Sequence, residues 1–264
     1  MRPPFLLLLL LLGQAAPGSA GEEAAPPNIL FIYLDDFGWR DAGYMGSDFY
    51  ETPHLDTLAR TGMVFTNAYS NAANCAPARA SLLSGQYTPR HRIFNVGTGP
   101  RGDDRHRRLL HVPGVSTLAP EVVTWAERLQ SVGYRTGLFG KWHLGPDPTT
   151  QGFDLAVEYN KLPGFEWYRG PDGAYLTDLL TERTIDFIRE SGNRPWCAYL
   201  AHFAVHTPLQ ARIELLAKYE AKPPGSLHDH VAMGTMVQAV DDGVGRILDV
   251  LDELELREQT VVFF

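Results

Sequence analysis

The chain has 264 residues, 44% hydrophobic and 20% charged, a balance that fits a globular domain with its own core and not a disordered polymer. Acidic residues outnumber basic ones 31 to 23, for a formal charge of −8. With no basic excess to release counterions from a polynucleotide, DNA and RNA are set aside as partners. Two cysteines, Cys75 and Cys197, are too few for a disulfide framework, so burial must hold the fold together, a single Cys75–Cys197 bridge being the alternative.

Residues 1–20 read as a secretory signal: Arg2 supplies the positive end, Phe5 to Leu12 the apolar core, and Gly18-Ser19-Ala20 a small-residue cleavage site. The product is then secreted, periplasmic or lysosomal. No Asn-x-Ser/Thr acceptor is present, which disfavours a glycosylated lysosomal enzyme. The apolar run is far shorter than the roughly 20 residues a membrane span needs, and no later run suffices, so no membrane span is expected in residues 21–264.

The first predicted strand, Asn28 to Leu34, ends in Asp35-Asp36. Adjacent carboxylates there are hard oxygen ligands suited to Ca²⁺ or Mg²⁺, with a solvated turn as the plain alternative. Thr52-Pro53 opens a helix that buries Leu55 and Leu58, the threonine serving as cap and the proline sitting in the first turn. Cys75 stands in polar punctuation beside Asn71, Asn74, Pro77 and Arg79; it precedes a helical turn anchored by Leu82 and Leu83 and ended by Gly85. Residues 101–108, rich in arginine, read as a solvated loop.

A helix after Pro120 places Val122, Ala126 and Leu129 on one side and stops at Gly133. The strand from Arg135 to Phe139 runs into Gly140-Lys141-Trp142-His143. In an extended segment Lys141 and His143 would share a face, able to meet one anion. A helix spans about Tyr175 to Glu190, and the strand from Trp196 to Phe203 holds Cys197 as a buried hydrophobe and leads to His202 and His206. The longest helix carries a stripe of Met236, Val240, Val244, Ile247, Leu251 and Leu254 before the last strand, Thr260 to Phe264.

Alternating strands and helices, the strands continuously apolar, imply an α/β fold with a largely parallel sheet covered on both faces. Ligands of such sheets bind beyond the carboxyl ends of the strands, where Asp35, Asp36, Lys141, His143 and His206 all fall. Asp41, His54, Asp56, His91 and Asp154 have no comparable setting and read as structural. No Gly-rich phosphate loop, Cys-x-x-Cys pair or G-x-S-x-G elbow occurs, which weakens nucleotide, zinc and serine-hydrolase readings.

Four segments in order resemble the type I sulfatases: Asn28 through Asp36, Cys75-Ala76-Pro77-Ala78-Arg79, Gly133 through His143, and His206-Thr207-Pro208-Leu209-Gln210. The resemblance implies an alkaline-phosphatase-like α/β fold, largely parallel, flanked by helices and truncated before the carboxy-terminal part, with residues 21–264 as the amino-terminal portion of the catalytic domain. It implies that a formylglycine-generating enzyme converts Cys75 to formylglycine, whose hydrated form attacks the sulfur of a carbohydrate or aryl sulfate ester. Asp35, Asp36 and residue 75 would bind the cation, Ca²⁺ ahead of Mg²⁺. Arg79 would orient the diol, Lys141 would bind sulfate and the leaving oxygen, His206 would assist the departing alcohol and His143 would help expel sulfate.

In relatives the strand resembling Thr260 to Phe264 leads into an Asp-Asn pair that completes the metal site, followed by a second lysine. The sequence-level expectation is therefore a fragment of impaired activity. Two alternatives accompany it: a phosphodiester or phosphonate hydrolase on the same fold, and a noncatalytic secreted binding module.

Overall fold

The computed structural model describes residues 25–100 and 102–264; the signal reading at 1–20 lies outside them, as does Arg101. Five parallel strands form one sheet in the order β3-β2-β4-β1-β5, with β1 Asn28–Tyr33, β2 Arg135–Gly140, β3 Leu155–Glu158, β4 Trp196–Ala201 and β5 Thr260–Phe263. Four were predicted. β3 was not: only four residues long, with an exposed Leu155, it lacks the apolar run that marks its neighbours. Coverage on both faces holds for central β4, buried at every position, and nearly so for β2; β1 and edge strand β5 alternate instead.

Side-chain alternation along the strands builds two cores. Leu30, Ile32, Phe139, Ala198 and Leu200 point to one face, where they meet helices α1 (Pro53–Thr61), α5 (Leu176–Glu190), α6 (Ile213–Glu220) and α7 (Val231–Glu253). Phe31, Tyr33, Leu138, Tyr199 and Ala201 point to the other, against α2 (Cys75–Ser84) and α4 (Trp125–Ser131), with the short α3 (Thr88–His91) beside α2. The predicted stripe on α7 is buried from Met236 to Leu251, whereas Leu254 falls at the C-cap, 40% exposed.

Two helix starts differ from expectation. Thr52 does not cap α1: its hydroxyl accepts from Gly43 N–H and donates to Asp56. The buried Asp241 of α7 instead accepts from His54 and Leu55 N–H at 3.1 and 2.8 Å. Burial raises the Asp241 carboxyl to about 6 against those hydrogen bonds. The helix expected after Pro120 begins later, at Trp125, because Thr124 and Glu127 form a reciprocal capping box.

Both cysteines are free thiols, so the Cys75–Cys197 bridge is absent. Cys197 is fully buried in β4, as expected of a small hydrophobe, and burial pushes its thiol up to about 12. Within residues 102–108 most side chains are exposed, as a solvated loop requires. Among the described residues no helix is long and apolar enough to cross a membrane.

Candidate active site

Strand register decides which residues meet. Tyr33 of β1 pairs with Ala201 of β4, which pairs in turn with Gly140 of β2. Three strands therefore end level, and the residues just past them, Asp35-Asp36, Lys141 and His202 to His206, emerge side by side. Gly140 makes this approach possible: its φ is 121°, and a Cβ there would lie 2.0 Å from the Ala201 carbonyl oxygen. Freed of that clash, Lys141 N–H donates to the same carbonyl at 2.7 Å. Across the sheet, Asp35 N–H donates to Ala204 O at 2.8 Å and Val205 N–H to Asp35 O at 2.6 Å.

Asp35 is the hub, 4% exposed. One carboxylate oxygen lies 2.5 Å from Lys141 Nζ and accepts from Arg79 Nη2 at 3.2 Å. Both cations are buried too, and Arg79 Nη1 donates to the Lys141 carbonyl at 2.7 Å. Such a cluster must be paired to exist, since each buried charge forfeits several kcal/mol of hydration. The Arg79 guanidinium also lies over the Tyr33 ring at 5.0 Å, and Lys141 Nζ lies 5.2 Å from the centre of the Phe203 ring.

Cys75 is the first residue of α2, half-buried, with Arg79 one turn later on the same helical face. The predicted helix start is thus present, ending at Gly85 in the left-handed region. Asn74 makes no cap; its amide donates to Asn95 Oδ1. The opening N–H groups and the positive end of the helix dipole are left to favour an anion beside residue 75.

His206 lies 3.7 Å from Asp36 through Nε2, while Nδ1 is 2.6 Å from the Thr207 carbonyl. Among the described residues, donor atoms of Asp35, Asp36 and His206 lie within 4.8 Å of one another. Two carboxylates and an imidazole are donors that a divalent cation can use. Cys75, as a thiol, is not one of the three.

His143 reaches the same site by another route than strand alternation. Its φ of 64° is left-handed, so the chain has left the extended path that the shared-face argument required. Although solvent reaches the ring, the protein packed around it, then the charges of Lys141 and Arg79, hold its pKa below the usual histidine value. His202 is wholly buried with both ring nitrogens unpartnered, and desolvation lowers it to about 3; it is a neutral core residue.

Asp41, Asp56, His91 and Asp154 serve structure as expected: they accept from Gly38 N–H, Tyr44 N–H, Ile93 N–H and Thr136 N–H respectively. His54 likewise lends its N–H to Asp241.

Sequence reasoning missed several aromatic residues. Tyr159 comes directly after β3, and its phenol pKa is raised by burial and then by the Asp35 carboxylate. Its position at a strand exit would have marked it, had β3 been recognised as a strand. Phe203 carries Tyr159 stacked at 4.5 Å and His206 at 4.8 Å. Tyr33 stands two residues before Asp35, and its parity alone pointed it at the α2 face.

The chain matches the Sulfatase family model over residues 27–264. It is 31% identical to N-acetylgalactosamine-6-sulfatase of Canis lupus familiaris, across 97% of this chain and 52% of that protein. To the protein of the same name from Homo sapiens it is 32% identical, across 90% and 49%. Among solved structures, Ps i-CgsB in complex with k-i-k-neocarrahexaose aligns with a TM-score of 0.73 and 27% identity, over 90% of this chain and 57% of that one. The phosphonate monoester hydrolase of Agrobacterium radiobacter aligns at 0.66 and 20%, over 89% and 61%, a likeness of fold alone. The chain spans about half the length of the curated relatives it matches.

Proposed function

The chain belongs to the sulfatase family and has its alkaline-phosphatase-like fold; from that premise we propose that the protein is a sulfuric ester hydrolase, working where Cys75 meets Asp35, Arg79, Lys141 and His206. One observation carries the reading: a half-buried cysteine at a helix N-terminus, one turn before an arginine tied to the same buried carboxylate as Lys141. Cys75, once converted to formylglycine, would offer the attacking hydroxyl, and Asp35 and Asp36 would hold a divalent cation, Ca²⁺ ahead of Mg²⁺, whose positive charge would offset that of the sulfate oxygens.

The side chains have separable tasks. Arg79, locked by its bonds to Asp35 and the Lys141 carbonyl, holds the oxygen at residue 75 in place. Lys141 lends positive charge to the sulfate and to the oxygen that leaves. His206 gives a proton to that oxygen as its bond to sulfur breaks, releasing a neutral alcohol. His143, held neutral by partial burial and its cationic neighbours, accepts the proton of the remaining hydroxyl as sulfate departs. The substrate is a carbohydrate or aryl sulfate; residues 1–20 direct export to a secreted, periplasmic or lysosomal destination, and a formylglycine-generating enzyme reads Cys75 to Arg79 on the way.

The test is sulfate release from N-acetylgalactosamine 6-sulfate and from an aryl sulfate, by the full-length protein coexpressed with a formylglycine-generating enzyme, beside the matched phosphate esters. Sulfate esters should be preferred, and Cys75→Ala should lower the rate more than about a thousandfold. The mass of the tryptic peptide Thr61–Arg79 reports whether oxygen has replaced sulfur at position 75. A preference for phosphate would make the protein a phosphoryl-ester hydrolase. Ligand binding without turnover in the modified protein would make it a binding module.

A further inference from the structure

Trp167 has a setting that ordinary packing does not explain. It is 46% exposed and its φ is 57°, a left-handed conformation that a bulky side chain rarely adopts. The turn is closed by paired bonds between Glu166 and Arg169, at 2.8 and 3.1 Å. Tyr168 pins it to the histidine segment: its hydroxyl lies 3.0 Å from the Phe203 carbonyl and 2.7 Å from the His206 carbonyl, and its N–H donates to Gln210 Oε1 at 3.2 Å.

The indole lies nearly parallel to the buried Phe203 ring, 5.8 Å away at 19°. That same ring faces Lys141 Nζ at 5.2 Å and His206 at 4.8 Å. The exposed indole, the lysine and the histidine of the site thus all lie against one aromatic ring, so Trp167 stands within about 11 Å of Lys141 Nζ. Its sequence neighbours Glu166 and Arg169 are exposed and charged. In the stretch 155–175 the other large apolar side chain open to solvent is Leu155.

We propose that Trp167 is a stacking platform for a sugar ring, positioning a sulfated saccharide against Lys141 and His206 and setting specificity for it. The inference rests on the sulfatase reading above and adds the residue that recognises the alcohol part of the ester. A flat, half-exposed aromatic surface amid charged side chains matches an amphipathic pyranose, whose C–H face packs on the indole while its hydroxyls meet the polar rim.

The experiment compares wild type, Trp167→Ala and Trp167→Tyr in the full-length protein. N-acetylgalactosamine 6-sulfate and an aryl sulfate are assayed for turnover, and N-acetylgalactosamine and inorganic sulfate for binding. Trp167→Ala should raise KM for the saccharide ester about tenfold, with kcat falling less than about twofold, and should weaken N-acetylgalactosamine binding by a similar factor. Inorganic sulfate should bind it as it binds wild type, a sign that the fold is intact, and Trp167→Tyr should recover most of the loss. Unaltered saccharide binding in Trp167→Ala overturns the proposal, as does an equal loss for inorganic sulfate or for the aryl ester. Saccharide binding that depends on Trp167 in a protein releasing no sulfate would sink the hydrolase reading and leave the platform standing.

Discussion

The two faces of the sheet are built from different materials. The face carrying α1, α5, α6 and α7 is packed with large apolar side chains such as Leu180, Phe187, Met236, Val240 and Ile247. On the α2 face, Ala76 and Ala80 pack in one cluster with Leu138, Trp142, Phe153 and Tyr199. Arg79, Ser81 and His91 are buried on that side, Ser81 Oγ lying 3.0 Å from His91 Nε2. One face contributes mainly hydrophobic stabilisation, at roughly 25 cal/mol per Å² of apolar area removed from water. The other carries Arg79 into a charged cluster at the strand ends, where Lys141 lies over Phe203 of the first core; its desolvation opposes folding and its value lies in fixing a charged side chain there.

Asp35→Ala should break the contrast most severely. It leaves Arg79 and Lys141 buried without their carboxylate, and a loss of about 3–5 kcal/mol is expected from urea unfolding; Asp35→Asn, which keeps an acceptor, should lose less. On the opposite face Leu180→Ala should cost about 2–5 kcal/mol through transfer and cavity terms. Its signature differs: inorganic sulfate binding should be unchanged in Leu180→Ala and tighten in Asp35→Ala, which frees Arg79 and Lys141 for an anion. Equal loss of binding in both would show that the faces are not separable.

A smaller, graded effect comes from His202. Its native pKa of about 3 lies below the ordinary 6.5, so between these values the unfolded chain binds a proton that the native chain does not. The stability associated with the neutral ring is complete above about pH 6.5 and falls as pH drops through the window, by up to about 1.4 kcal/mol per pH unit. His143 shifts in the same direction. Urea unfolding of His202→Leu between pH 7 and 4 should give a shallower dependence than wild type; parallel curves would refute the assignment.

Much of this arrangement was legible in the chain because it is local. A strand that ends in two aspartates, a cysteine placed i, i+4 from an arginine at a helix start, and a strand that exits into Gly140-Lys141 are all short-range patterns, and each lies where periodicity and punctuation predict. What misled was equally local: Thr52 looks like a cap, and Lys141 and His143 look like neighbours on an extended face. Tertiary contacts overrode both. The cap is supplied by Asp241, 187 residues from His54, and a left-handed residue turns the second pair out of register with a strand.

The sequence by itself determined the strands with continuous apolar runs, the amphipathic helices and the residue types of the candidate site: carboxylates, a lysine, histidines and one cysteine in a helix-starting context. These arise from hydrogen-bond geometry and burial within a few residues, which composition and spacing encode directly. Only the tertiary structure decided that β1, β4 and β2 end level, that Asp35 is shared by Arg79 and Lys141, and that Tyr159 and Trp167 gather on Phe203. Those facts depend on strand order and register between segments far apart in the chain. Register is set by summed packing across the sheet and not by any single motif.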